Sequence, residues 1–312
     1  MPEMNYKELP VDETSIVPTE SEKGQESGHD VEDFEKLFQA YFSKRPEKEN
    51  AVRIKSLVQA VQNIDQAESE KEIDQIYEQI QSGVISGSAD DYHNAAVGFS
   101  RRQQNERAVR VCKVGLKKWP DNIDLNADAL TYAMDAGLTD ELEELAAALQ
   151  RNCPDRSRWN WRGFRFLFLY YIKVKPDGYE EKTKTLIEEY KKYIPADERA
   201  YMCEYERYQG LGKPDEAVQA LEEAVTNLKA PQCALTLADI YFERADYDDA
   251  IRTATLGIAY AAEPQPGIRT SYLLMLRAMA KDAALLRKGN FSDKEVQEVL
   301  KEYKLAQKYV SI

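Results

Sequence analysis

The stretch "WNWRGFRFLFLYYIKV", Trp159 to Val174, decides the fold. Trp-Asn-Trp-Arg and Phe-Arg-Phe alternate aromatic with polar side chains, the period-two pattern of a half-buried strand. The same residues also fit a helix, on which Asn160, Gly163, Phe164 and Leu167 share one face, with Tyr171 a turn further on. The local pattern alone does not choose, so the choice falls to what surrounds it.

Just upstream, "RNCPDR" places Pro154, and "KKWPDN" places Pro120 thirty-four residues earlier, each followed by Asp. A fixed period of this size marks stacked helical hairpins. Tyr92, Ala95, Ala96 and Phe99 fall at helical spacing, followed by Ala108, Cys112 and Pro120. The next unit has Asn126, Ala129, Leu130 and Ala133, then Leu142, Ala146 and Pro154. Further units run through Tyr201, Tyr205 and Tyr208 to Ala217, Leu221 and Ala224, and through Ala234, Leu237, Ala238 and Tyr241 to Ala250, Ala254 and Gly257. Ala108, Leu142, Thr183, Ala217 and Ala250 occupy equivalent places, at steps of 34, 41, 34 and 33. The long step is assigned to an insertion within "YIKVKPDGYEE".

The phase of these residues resembles the tetratricopeptide-repeat family over residues 88–262. Small residues sit where paired helices approach, aromatics fill the gap to the next pair, and proline stops a second helix. One pair cannot bury its own apolar face, so stacking supplies the core. Trp159–Val174 then lies where a first helix must begin, with Asp155 and Ser157 as expected caps. The predicted fold is all-α. The resemblance implies a right-handed α-solenoid of antiparallel helix pairs, with first helices lining a concave groove.

The expected organisation is a disordered acidic leader over 1–30, N-terminal capping helices over 31–87, repeats over 88–262, and a C-terminal capping pair over 263–312. Residues 1–30 carry eight acids and two lysines and little to bury. Phe34, Leu37, Phe38 and Tyr41 form one helical face, as do Ile54, Leu57, Val58 and Val61, and Ile73, Ile76, Tyr77 and Ile80. Towards the end, Ile268–Lys288 reads as one long helix. Ser292 and Glu295 then form a capping box before a helix whose face is Val296, Val299, Leu300 and Tyr303. This pair could also serve as a homodimer seam.

The net charge of −13 works against nonspecific binding to nucleic acid or anionic membranes. No segment approaches the ~20 apolar residues of a membrane span, and no signal peptide is visible, so a cytoplasmic location is expected. Cys112, Cys153, Cys203 and Cys233 are far apart and read as reduced, buried thiols rather than metal ligands. The two histidines, His29 and His93, lack partners in a catalytic motif, and no phosphate-binding or metalloprotease motif occurs. Neither an enzyme, a cofactor nor a metal is expected.

Carrying the family's groove positions onto this chain singles out Arg101, Arg158, Trp161, Arg165, Phe168, Met202, Glu206, Asp239 and Phe242. Arginine beside aromatic residues is the chemistry of binding hot spots. His93 and Val97 stand where a carboxylate clamp for chaperone tails would need Lys and Asn, which sets that subclass aside. The basic run "RRQQNERAVRVCKVGLKKW", from Arg101, is either a solvated helix face or a dock for an acidic partner or the chain's own leader. The expected function is a protein-interaction scaffold holding a protein or peptide. The alternative is a regulator that senses a small peptide or metabolite.

Overall fold

The computed structural model describes residues 70–261 and 268–310. The acidic leader, His29 and the amphipathic stretches at Phe34 and Ile54 lie outside the described residues. Within them the chain forms thirteen α-helices, one short 3-10 turn and no strand. Contacts divide it into two compact units, whose described parts are residues 70–212 for one, and 213–261 with 268–310 for the other.

In the first unit the helices are α1 (Glu70–Gln81), α2 (Ala89–Arg101), α3 (Asn105–Leu116), α4 (Ile123–Ala136), α5 (Thr139–Asn152), α6 (Trp161–Val174), α7 (Tyr179–Tyr193) and α8 (Glu198–Gly210). Pairs α2/α3, α4/α5 and α6/α7 pack along their lengths. The first helices α2, α4, α6 and α8 also touch one another in series. The alternation follows from the apolar stripes. Tyr92, Ala96 and Phe99 of α2, Ala108 and Cys112 of α3, and Leu125, Ala129 and Leu130 of α4 are all fully buried. Such a stripe needs a neighbour on each side. Asn126 ties the α3–α4 corner by donating to the carbonyls of Pro120 and Asn122, both at 2.8 Å.

The opening stretch is a helix. Gly163, Phe164, Leu167 and Tyr171 are buried, as anticipated. The start differs. Asn160, expected on the buried face, caps α6 instead, its side-chain oxygen accepting from the N–H groups of Arg162 and Gly163. Asp155 caps only the 3-10 turn Arg156–Arg158. Trp159 is extended between the two and buried. Its indole N–H donates to the Cys153 carbonyl at 2.8 Å. Its ring lies 5.3 Å from Phe164, which stacks on Tyr190 of α7 at 4.8 Å.

The long repeat step is not a single insertion. Relative to the preceding unit, α5 runs two residues further past the aligned position, and the linker before α6 is two longer. The α6–α7 loop is two longer again, and Thr183 is the fifth residue of α7, where Ala108 and Leu142 are the fourth of α3 and α5. All three aligned residues are buried.

The second unit comprises α9 (Pro214–Leu228), α10 (Pro231–Glu243), α11 (Tyr247–Ala261), α12 (Ile268–Lys288) and α13 (Asp293–Val310), each packed on the next in sequence. Ala217 and Ala250, each fourth in its helix, are fully buried. Ala238, Ala254, Ile258, Leu273, Leu274, Ala306 and Tyr309 form one core. On α13, Val299 is buried but Leu300 is 42% exposed, so the inward face turns towards Ala306 and Tyr309 rather than Leu300. Ser292 and Glu295 close the capping box in both directions. The Ser292 N–H, with Lys288 and the Ser292 hydroxyl behind it, holds the Glu295 carboxyl down to about 2.

Four corners turn on left-handed residues that are not glycine: Gln103, Lys175, Lys229 and Ala245. Gly212, past α8, adopts φ +68° without steric cost.

Three outcomes follow for stability. A Cβ at Gly163 would lie 2.7 Å from the Trp159 ring, which its hydrogen bond holds in place. Gly163→Ala should therefore cost about 1–3 kcal/mol in urea denaturation. Gly210→Ala, with nothing within 4 Å, should gain about 0.5–1 kcal/mol. Because Glu295 is depressed in the fold, its contribution is present above its ordinary 4.5 and is lost as pH falls towards 2. Glu295→Gln should flatten that limb of the melting temperature–pH curve, and an unchanged limb would refute the assignment.

Candidate partner-binding site

In the first unit, side chains one repeat apart meet across neighbouring first helices. Asp128 of α4, almost fully buried, is held between the Nδ1 of His93 on α2 and Arg162 of α6, whose guanidinium lies at 2.9 Å. Arg162 also lies 3.9 Å from Asp124, which accepts from Asn160 at 2.8 Å. A buried carboxylate needs such partners, since an unpaired one would be driven out of the apolar interior. Burial, reinforced by Asp128, pushes both the Cys112 thiol and the Tyr132 hydroxyl well above their ordinary range.

One step along, Arg165 of α6 grips Glu206 of α8 with two hydrogen bonds, each 2.8 Å, and contacts the Cys203 sulfur at 3.4 Å. Burial is the largest single influence on Arg165 and opposes its charge, but the Glu206 hydrogen bonds and charge together with Cys203 outweigh it, and the guanidinium stays charged. Burial likewise drives Cys203 up to about 12, against the pull of Arg165. Trp161, half-buried on the first turn of α6, carries the Arg199 guanidinium 4.5 Å from its ring centre and that of Arg162 at 5.2 Å. Arg199 is anchored by both carboxylate oxygens of Asp197, at 3.2 Å.

Of the residues singled out by sequence, the structure brings Arg165 and Glu206 together, while Trp161, one turn before Arg165 on α6, meets Arg199. Phe168 departs from the expectation. It is 1% exposed, with Arg165 5.6 Å above its ring, so it supports the arginine from beneath and offers no open surface. Met202 is half-buried on α8, and Arg101 is exposed at the end of α2. Arg158 is exposed on the 3-10 turn, 3.8 Å from Asp121. Asp239 and Phe242 belong to the second unit. Asp239 is exposed on α10, and Phe242 packs against that unit's core, 5.8 Å from Tyr247.

Sequence reading missed Asp128 and Arg162. The signal was present: His93, Asp128 and Arg162 are 35 and 34 residues apart, the repeat stride. Arg165 and Glu206 are 41 apart, the length of the long step.

A separate open hollow of about 490 Å³ lies at the α2–α3 corner, lined by Gln103, Gln104, Asn105, Glu106, Arg107, Asp135 and Ala136. Its charges are already engaged. Arg107 pairs with Asp74, and Asp135 lies 3.9 Å from Lys173. The four cysteines are free thiols, all buried. No described helix is long and apolar enough to cross a membrane.

No protein-family profile matches the chain. No curated protein matches it either. Among solved structures, it is similar to a thermophilic TPR protein from Thermus thermophilus, at 18% identity and a TM-score of 0.44, over 64% of this chain and 100% of that one. It is also similar to a tetratricopeptide repeat protein from Parabacteroides merdae, at 14% identity and a TM-score of 0.45, over 81% of this chain and 99% of that one.

Removing Arg162 takes the guanidinium from a buried carboxylate and leaves it His93 as its remaining ion-pair contact, whereas neutralising Asp128 leaves a guanidinium that water still reaches. Arg162→Met should therefore cost about 3 kcal/mol and Asp128→Asn distinctly less, read by urea denaturation. Equal or reversed losses would show that Asp128 does not depend on Arg162.

Proposed function

We propose that the chain is a non-enzymatic interaction scaffold, and that the first-helix face around Trp161 holds an extended protein or peptide segment. The observation that carries this reading is Trp161 itself, half-buried and flanked by Arg199 and Arg162. Indole and guanidinium groups on a rigid helix bury much area on binding at low entropic cost, and they can pair with carboxylates. Arg165 and Glu206, each partly accessible, form an ion pair at the same face that a partner's carboxylate can enter. A segment with an apolar side chain near an acid suits this surface.

Reactive groups are engaged structurally, which supports a role without chemistry. The thiols are buried, and His93 is held by Asp128. Buried free thiols fit a reducing compartment, and the chain is read as cytosolic. The small-ligand alternative draws less support, because the charges around the open hollow already have partners. The alternative of a homodimer through the C-terminal helices draws support from α12, where Tyr272, Met279 and Leu286 recur every seven residues on the exposed side, the spacing of a helix-packing seam.

A random peptide library displayed on phage and selected against the full chain should yield segments pairing an acid with an apolar residue. Calorimetry should then show at least ten-fold weaker binding to Trp161→Ala, about 1.4 kcal/mol, with helicity retained by circular dichroism. Selected peptides that bind this variant with undiminished affinity would refute the site.

A further inference from the structure

The basic run from Arg101 to Lys118 looked like the chain's cationic patch, but most of its charges are engaged. Arg107 pairs with Asp74 and lies over Tyr77, Arg110 lies 4.0 Å from Glu106, Lys113 pairs with Glu141, and Lys118 lies near the Tyr92 and Trp119 rings. The opposite arrangement occurs on α13. Its acids Glu295 and Glu302 turn to Lys288 and to Arg277 and Lys281, all on α12. Its lysines Lys294, Lys301, Lys304 and Lys308 point outward, exposed, with no ion pair or hydrogen bond among the described residues.

At 3.6 residues per turn the four fall within an arc of about 80°, along about 21 Å of helix. Gln297 lies among them, and Glu298 stands at one edge. An unpaired lysine stripe is out of character in a chain of 55 acids and 42 basic residues. Like charges in line repel one another, so an anionic occupant is favoured.

We propose that this stripe docks the chain's own acidic segment, residues 1–30. That segment lies outside the described residues and holds eight carboxylates against two lysines, an excess that more than matches four lysines. Insertion into an anionic membrane suits the helix poorly. Its apolar side, with Val299, Ala306 and Tyr309, is buried against the core, leaving Leu300 as the exposed apolar side chain of the helix body. Phosphate chemistry, as in nucleic acid, would have to overcome the net −13 of the whole chain.

The test uses the full chain. Carbodiimide joins a carboxylate to a lysine amine only when the two touch. In an equal mixture of unlabelled and ¹⁵N-labelled protein at low salt, links from Glu20, Glu22, Glu26 or Asp30 to the four lysines should dominate. Each should join chains of one isotope, and yields should fall at least five-fold in 0.5 M NaCl. The exposed quadruple variant K294Q/K301Q/K304Q/K308Q should keep its melting temperature, while glutamyl-endoprotease cleavage within residues 1–30 rises at least five-fold at low salt. Links mainly to other lysines, mixed-isotope links, unchanged cleavage, or lysine-dependent sedimentation with phosphatidylserine vesicles would each overturn the assignment.

Discussion

The close seat of Trp159 on Gly163 is the constraint from which the first unit takes its register. The indole reaches back to the Cys153 carbonyl at the end of α5 and lies against the one position of α6 where no side chain intervenes. Both contacts fix where α6 begins and which of its faces turns inward. Phe164 then meets Tyr190, and α7 is placed. Arg165 is left pointing at α8, where Glu206 meets it. A repeat array transmits geometry only between neighbours, so one tight contact at an irregular step matters more here than at a regular one. This step is the irregular one, with its seven extra residues shared among a helix end, a linker and a loop.

Across the first helices, charge is arranged by the same stride as packing. His93, Asp128 and Arg162 form a column of side-chain contacts one repeat apart, and Arg165 with Glu206 repeats the device one position over. Within a low-dielectric interior such pairs contribute more to specifying alignment than to net stability, because desolvation offsets much of the attraction. A slip of one residue would leave Asp128 buried and alone. The surface beside Trp161 is thus held by polar contacts that tolerate few alternative alignments, a useful property where a partner must be met by a rigid face.

Much of this was legible in the sequence, because helical hairpins repeat their small and apolar residues at a stride that survives degenerate identity. Ala108, Leu142, Thr183, Ala217 and Ala250 are all buried near the start of second helices. What stayed hidden was what the stride does not encode. Asn160 rather than Asp155 caps α6, because a short 3-10 turn takes up Asp155 first. Phe168 is covered by neighbouring chains of atoms that no single-helix projection contains. Leu300 lies on the outer side of α13 because Ala306 and Tyr309 set which face turns inward. The lysine stripe escaped notice because spacing, rather than a contiguous run, brings those residues together.

The corners at Gln103, Lys175, Lys229 and Ala245 have a further implication. A left-handed backbone disfavours any residue with a Cβ by roughly 1–2 kcal/mol, and glycine would remove that cost at each bend. The chain thus retains slack that selection has left unused. Natural proteins commonly sit above a threshold of sufficiency rather than at an optimum. These bends are accordingly places where the array can be made sturdier without altering any helix face a partner would meet.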